Sequence, residues 1–185
     1  MIVTTEHNQT TISKKVSLEG VGLHTGKDVT LTFVPSNADS GYIFKRVDLE
    51  NSPTMKADIK YVSSTDRGTC LNKNGFTIQT CEHVLAALVG SEIDNVIIEL
   101  NQSEPPIMDG SAKFFVDALE KAGVKYLDSK RKEFIVKKVI SLKDEDTGSE
   151  IMVLPAKNYK VTTMVDFGTK ILGTQNATID SISEF

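Results

Sequence analysis

The sequence predicts an α+β fold, in which a two-layer domain of sheet and helices is followed by an incomplete second domain of the same type. Strand patterns occupy the first 80 residues, two amphipathic helices follow, and strands return after residue 130. Helices gathered between two groups of strands are typical of α+β architectures and not of alternating βαβ units. We expect the first domain over residues 1–126 and the second over residues 127–185.

The early strands are predicted from the spacing of their apolar side chains. In residues 29–33, valine, leucine and phenylalanine alternate with threonines, which is the pattern of a half-buried strand. A turn-forming stretch at residues 35–39 ends this strand, and residues 42–47 form the expected returning strand. Residues 76–79 are a further short strand candidate.

After residue 79 the spacing of the apolar residues changes from the alternation of a strand to the period of a helix, which predicts the first helix. Thr80 is a favourable N-cap and Gly90 a favourable end. Four apolar residues have the spacing that places them on one side of this helix, which we expect to face the core: Cys81, Val84, Leu85 and Leu88. The opposite side places two reactive side chains before small residues, which leave room for a large ligand: Glu82, His83, Ala86, Ala87 and Gly90.

A strand at residues 95–100 and a proline-containing loop precede the second helix. Ser111 is expected to cap this helix and Gly123 to lie past its end. Its core-facing residues are Phe115, Ala118, Leu119 and Ala122.

Further strands are expected at residues 134–136, 150–154 and 160–165, with a charged hairpin turn at residues 143–148. No convincing helix covers these strands, so the second domain is predicted to be incomplete. The domain boundary is placed near residues 125–133.

The composition argues against several classes of function. A net charge of −4 and a short basic cluster at residues 130–132, interpreted as a solvated linker, argue against nucleic-acid binding. No segment approaches the ~18 apolar residues of a membrane span, and the first residues do not resemble a signal peptide. Cys70 and Cys81 form neither a CxxC pair nor a disulfide framework, which indicates a reducing cytoplasm.

Glu82 and His83 are the first candidates for chemistry. A glutamate beside a histidine can supply a general base and a metal ligand together. A structural explanation remains open, because the helix dipole favours a glutamate in the first turn. A single histidine on a helix is also more often a surface residue than a ligand.

His24 lies in the segment Gly20-Val-Gly-Leu-His-Thr-Gly26, whose glycines permit a tight turn and close backbone approach. The spacing is not that of a phosphate-binding P-loop, and no helix follows it. Similarly, the segment Asp109-Gly-Ser111 is explained by a turn and a helix cap.

Taken together, three segments resemble the UDP-3-O-acyl-N-acetylglucosamine deacetylases. Gly20-Val-Gly-Leu-His-Thr-Gly26, Cys81-Glu-His-Val-Leu-Ala-Ala-Leu88 and Ile107-Met-Asp-Gly-Ser111 stand in the order and approximate spacing of that family. The segment Ile93-Asp-Asn-Val-Ile-Ile-Glu99 resembles the strand that follows the family's Glu-His helix. Residues 166–170 and 173–178 resemble the branch in which the deacetylase is fused to a 3-hydroxyacyl-carrier-protein dehydratase.

The resemblance implies a cytoplasmic enzyme of lipid A synthesis that hydrolyses the N-acetyl group of an acylated UDP-N-acetylglucosamine. It implies two sheet-and-helix domains with zinc in the cleft between them. His83 would be one of three protein zinc ligands, Glu82 would be the general base, and His24 is the candidate for substrate binding.

Parts of the family pattern are absent from the sequence. The family's other ligands are a His and an Asp one helical turn apart, and a further His acts as general acid, but no His follows His83 here. We therefore expect this chain to be the N-terminal portion of an active enzyme, inactive alone and prone to self-association or marginal stability. Gly68 stands where some relatives have a Cys, a difference we expect to be harmless.

Two other functions remain open. The chain could be a non-enzymatic α+β binding module, in which Glu82 and His83 are a surface pair and the glycine segment is only a turn. A small-metabolite kinase-like protein is the third alternative, and the lack of a glycine-rich phosphate loop counts against it.

Overall fold

A computed structural model describes residues 1–185, apart from the side chain at position 183. Its mixture of sheets and two α-helices confirms the predicted α+β class. The strands are β1 (Ile2–Ile12), β2 (Val16–Val21), β3 (Asp28–Pro35), β4 (Tyr42–Arg46), β5 (Thr54–Lys56), β6 (Val62–Ser64), β7 (Cys70–Lys73), β8 (Phe76–Ile78), β9 (Val96–Leu100), β10 (Val124–Phe134), β11 (Ile140–Lys143), β12 (Glu150–Val153), β13 (Val161–Asp166) and β14 (Thr174–Ile179). The helices are α1 (Glu82–Gly90) and α2 (Lys113–Ala122). Neither helix has the length and apolar character needed to cross a membrane, and the described residues form no other α-helix.

The chain divides into a larger unit, residues 7–130, and a smaller unit, residues 1–6 with 131–185. The larger unit contains a five-stranded sheet in the order β2-β3-β9-β4-β5 and a three-stranded sheet in the order β6-β7-β8. In the first sheet, β4 and β9 run parallel, and every other neighbouring pair runs antiparallel. Strands β1 and β10 pair in a separate two-stranded sheet.

The core of the larger unit is built from alternate strand residues and one side of each helix. In β3 the alternating apolar side chains are buried, as the sequence predicts. Leu85 of α1 packs against this core, as its spacing predicts. The other predicted helix positions are fully or almost fully buried: Cys81, Val84, Leu88, Phe115, Ala118, Leu119 and Ala122.

The start of α1 differs from the prediction. The helix begins at Glu82 with Cys81 at the N-cap position, so Thr80 lies one residue before the cap, with φ of +50°. The Thr80 hydroxyl donates to Glu104 over 2.9 Å. The helix ends at Gly90, as predicted. Ala87, which the sequence placed on the open side, is buried in the core.

The second helix follows its predicted signals more closely. It begins at Lys113, whose N–H donates to the Ser111 hydroxyl over 3.2 Å, so Ser111 serves as a capping side chain although the residue at the cap position is Ala112. Gly123 lies past the helix end with φ of +70°, as predicted.

Several strands differ from the sequence prediction. The sequence patterns do not predict β1, β5, β6, β7 and β14. In β1, threonines and charged residues interrupt the apolar pattern. The strand expected at residues 134–136 is instead β10, which begins ten residues earlier and ends at Phe134. The basic cluster at residues 130–132 therefore lies in a strand and not in a linker, although Lys130 and Lys132 are exposed.

The smaller unit contains two antiparallel hairpins, β11–β12 and β13–β14. The turn predicted at residues 143–148 joins the first pair, and the Asp144 N–H donates to the Ser149 carbonyl over 2.8 Å. Almost every side chain of these strands is exposed. The buried apolar side chains of the described residues all belong to the larger unit.

Candidate functional site

Glu104 is a fully buried carboxylate at the centre of the candidate site. It accepts hydrogen bonds from the backbone N–H of His24 (3.1 Å to each oxygen) and of Thr25 (2.9 Å). The hydroxyls of Thr25 and Thr80 each donate to it over 2.9 Å. Burial raises the pKa of Glu104, but these hydrogen bonds outweigh burial and hold the pKa below its usual value. The carboxylate is therefore charged at neutral pH.

His24 lies in the tight turn between β2 and β3. The Gly22 N–H donates to the Lys27 carbonyl, and the Gly26 N–H donates to the Gly22 carbonyl, both over 3.0 Å. Gly22 is buried, and a Cβ atom added to it would lie 2.6 Å from Oε2 of Glu104. The glycine therefore leaves the space that the buried carboxylate enters.

The turn of His24 is linked to Glu82 through the segment before β7. The Nε2 atom of His24 lies 3.2 Å from the carbonyl oxygen of Arg67. Two residues further along, the Thr69 N–H donates to Oε2 of Glu82 over 2.9 Å. Residues 67–69 thus join two positions that lie far apart in the sequence.

Glu82 and His83 form the first turn of α1, and both are half-buried. Within the described part of the chain the His83 ring has no hydrogen-bond partner. The preceding thiol, Cys81, is buried, and burial raises its pKa to about 12. Cys81 is therefore protonated at neutral pH, and its thiol donates to the Thr69 carbonyl over 3.4 Å.

Three residues of the site have left-handed backbone conformations. Thr80 has φ of +50°, Arg67 has φ of +58° and Met108 has φ of +55°. Such values are costly for residues other than glycine, and above all for a β-branched threonine. Strained backbone often occurs at functional sites, where surrounding contacts must hold it in place. The contact between Thr80 and Glu104 is one such restraint.

The third sequence segment joins the same region. The Ile107 N–H donates to the Val21 carbonyl over 3.0 Å, and a Cβ atom added to Gly20 would lie 2.9 Å from Cβ of Pro106. Asp109 accepts hydrogen bonds from the Ser111 N–H (2.9 Å) and hydroxyl (2.7 Å). The Asp109-Gly-Ser111 segment therefore forms the turn and cap that a structural interpretation predicts.

The donor atoms of the described residues do not complete a zinc site. Protein zinc sites use three or four protein donors. No group of three or more His, Cys, Asp or Glu side chains among the described residues is arranged to hold a metal ion. Glu82 and His83 bring one carboxylate and one imidazole to the start of α1, so a metal ion bound there would need further donors.

Sequence reasoning did not find Glu104 or the role of Thr69. Glu104 lies in a loop directly before two prolines, and no periodic pattern marks it as buried. Its partners in the glycine turn lie about 80 positions earlier, a contact that only the folded chain reveals.

Comparison with known proteins gives the following relatives. A family model described as LpxC, UDP-3-O-acyl N-acetylglycosamine deacetylase, matches residues 9–185. The bifunctional enzyme LpxC/FabZ of Bacteroides thetaiotaomicron is 41% identical over 177 residues, which are 96% of this chain and 38% of that protein. The UDP-3-O-acyl-N-acetylglucosamine deacetylase of Geotalea uraniireducens is 39% identical over 171 residues, 92% of this chain and 55% of that protein. The chain thus spans about half or less of the length of these relatives.

Proposed function

Because the chain belongs to the UDP-3-O-acyl-N-acetylglucosamine deacetylase family, we propose that it forms part of an enzyme that removes the N-acetyl group of an acylated UDP-N-acetylglucosamine during lipid A synthesis. The observation that carries the proposal is the pairing of two chemical groups at the start of α1. Glu82, whose carboxylate accepts from the Thr69 N–H, is followed in the first turn of the helix by His83, whose ring has no hydrogen-bond partner among the described residues.

In the proposed reaction Glu82 is the general base. Its carboxylate takes a proton from the attacking water as the water oxygen bonds to the amide carbon. The C–N bond then breaks, and the proton held by Glu82 passes to the leaving nitrogen. The products are acetate and the free amine of the sugar. The Thr69 N–H would hold the Glu82 carboxylate in one orientation through this step, which is the requirement for efficient proton transfer.

We propose that the enzyme depends on zinc and that His83 supplies one ligand. The donor set described here is too small for a zinc site, so the remaining ligands must come from outside these 185 residues. For the same reason we propose that the 185-residue chain alone is inactive. His24, at the exposed tip of the glycine turn, is proposed to contact the substrate.

The test compares the 185-residue chain with the natural gene product that contains it. Acetate release from the acylated UDP-sugar and zinc content are measured for both, and for His83→Ala and Glu82→Gln in the natural product. The control is Glu120→Gln, an exposed glutamate on α2. We expect about one zinc per active chain and losses of roughly 100-fold or more in both variants. A natural product with neither zinc nor activity would contradict the proposal.

The alternative function is a non-enzymatic α+β binding module. In this alternative Glu82 and His83 are only a surface pair at the start of a helix, and the glycine segment is only a turn. It predicts that the 185-residue chain binds the UDP-sugar in the presence of a chelator with the affinity of the natural product. Binding that requires zinc and the longer chain would exclude it.

Three further proposals concern the setting of the enzyme. The likeness to relatives named bifunctional LpxC/FabZ supports membership of the fused branch. Two cysteines that form no disulfide support a cytoplasmic location. Large apolar side chains exposed on both hairpins of the smaller unit support self-association of the 185-residue chain.

A further inference from the structure

The buried carboxylate of Glu104 accepts hydrogen bonds from uncharged donors only. Its partners are two backbone N–H groups and the hydroxyls of Thr25 and Thr80. Removing a carboxylate from water costs several kcal/mol, and apolar residues of similar volume often stabilise a core equally well or better. Core stability alone therefore does not explain a glutamate at this position. The carboxylate is suited to hold a particular backbone geometry, because its two oxygens bind donors from two separate segments.

The two segments are the parts of the molecule that carry the proposed chemistry. On one side Glu104 binds the backbone of His24, whose ring contacts the Arg67 carbonyl. On the other side it binds the hydroxyl of Thr80, the strained residue two positions before Glu82. Both segments also contact residues 67–69. The His24 ring contacts the Arg67 carbonyl, and the N–H of Cys81, the residue after Thr80, donates to the Thr69 carbonyl over 3.3 Å. The Thr69 N–H in turn binds the Glu82 carboxylate.

We propose that Glu104 is a positioning residue, which fixes the turn of His24 relative to the start of α1 that carries Glu82 and His83. The role rests on the deacetylation proposed above and extends it to a residue that touches neither water nor substrate. Glu104 acts through the groups it holds and takes no part in proton transfer.

The isosteric variant Glu104→Gln is the sharpest test, because it keeps the side-chain volume. Both oxygens of Glu104 accept hydrogen bonds, so in either orientation of the glutamine its NH₂ group faces a donor. The matched control is Glu99→Gln, which removes a half-buried carboxylate of β9 that pairs with Lys45 on the same sheet. Thr80→Ala is a milder second variant, which keeps the charge and removes one hydrogen bond.

The experiment is a double-mutant cycle with His24→Ala in the natural gene product, at a temperature where each variant is folded by circular dichroism. We expect Glu104→Gln to lower kcat/KM roughly 10- to 100-fold in the wild-type background, because small misplacements of reacting groups are costly. In the His24→Ala background the same change should cost only about threefold, since residues that act as a unit are not additive. Thr80→Ala should follow the same pattern with a smaller loss, and Glu99→Gln should leave kcat/KM within about twofold.

A second readout is independent of activity. In the 185-residue chain, Glu104→Gln should increase hydrogen exchange at the amides of His24 and Thr25 by roughly tenfold or more, while amides of β3 and β9 keep their protection. A folded Glu104→Gln enzyme with kcat/KM within about twofold of wild type, or losses that multiply independently with His24→Ala, would overturn the positioning role. A wild-type natural product without deacetylase activity would instead overturn the proposed function on which the role rests.

Discussion

Gly22 shows how a single residue makes space for the buried carboxylate. Its backbone has no left-handed φ, so the need for glycine comes from space and not from conformation. An added Cβ would approach both the Thr25 hydroxyl and Oε2 of Glu104. Gly26, in the same turn, is needed for its conformation and not for space. Its φ is +62°, and an added Cβ would meet no atom within 4 Å.

Comparing Gly22→Ala with Gly26→Ala separates the two reasons for a glycine, lack of space and a left-handed backbone. Gly22→Ala should lower the free energy of unfolding by about 3 kcal/mol, because it overpacks a turn against a buried charge. Gly26→Ala should cost only about 1 kcal/mol, the cost of a left-handed alanine. Urea unfolding of the two variants measures the difference. Equal losses would mean that Glu104 moves aside without cost.

The charge of Glu104 also predicts a pH dependence of stability. Its pKa in the folded chain lies below the usual value, so the charged form stabilises the fold at neutral pH. This contribution is present above the unfolded pKa, about 4.3 for a glutamate, and is lost as pH falls through the folded pKa. The free energy of unfolding should therefore decrease from about pH 7 to about pH 3 more steeply in wild type than in Glu104→Gln.

Other carboxylates contribute to the acid sensitivity of wild type, so the comparison uses the difference between the two proteins. Asp48, for example, has a lowered pKa because Arg46 hydrogen-bonds to it, and this contribution is the same in both proteins. The difference in free energy of unfolding between wild type and Glu104→Gln should be largest near neutral pH and should become smaller as the pH falls. A difference that stays constant down to about pH 3 would show that the Glu104 carboxylate is not stabilised by folding.

At the scale of elements, the sequence predicts those structures whose apolar residues follow a regular period. The strand at β3 and the helix α2 are found where alternation and helical spacing place them. Prediction is poorer where tertiary contacts replace local ones. Thr80 is a residue type favoured at helix caps, but its backbone is left-handed and its hydroxyl bonds to Glu104, which is distant in the sequence. In β1 the polar residues give no period to follow, and its partner β10 lies more than 100 residues away.

The helix α2 offers a test of this periodicity with two neighbouring phenylalanines. Phe115 is fully buried, whereas Phe114 is 41% exposed. Phe115→Ala should lower the free energy of unfolding by about 3–5 kcal/mol, because it leaves a cavity in the core. Phe114→Ala should cost less than about 1 kcal/mol. Thermal and urea unfolding measure both, and similar costs would mean that α2 does not bury the predicted side.

At the scale of the whole molecule, apolar burial is distributed unequally between the two units. Buried apolar residues of the described chain run from Ile12 to Ala122, all within the larger unit. In the smaller unit both hairpins leave large apolar side chains exposed, such as Leu142 at 69% and Met164 at 73%. Isolated two-stranded hairpins are marginally stable in water, so the amides of β11–β14 should exchange faster than those of β3 and β9.

The exposed apolar side chains predict that the 185-residue chain self-associates through its hairpins. The double variant Leu142→Lys with Met164→Lys should reduce the mass measured by light scattering toward that of a monomer, because buried lysines would oppose association. The control adds the same charge at exposed polar positions, Asn158→Lys with Gln175→Lys, and should leave the mass distribution unchanged. If wild type is a monomer at every concentration tested, the hairpins do not drive association. If both double variants dissociate equally, net charge is responsible and the apolar side chains are not.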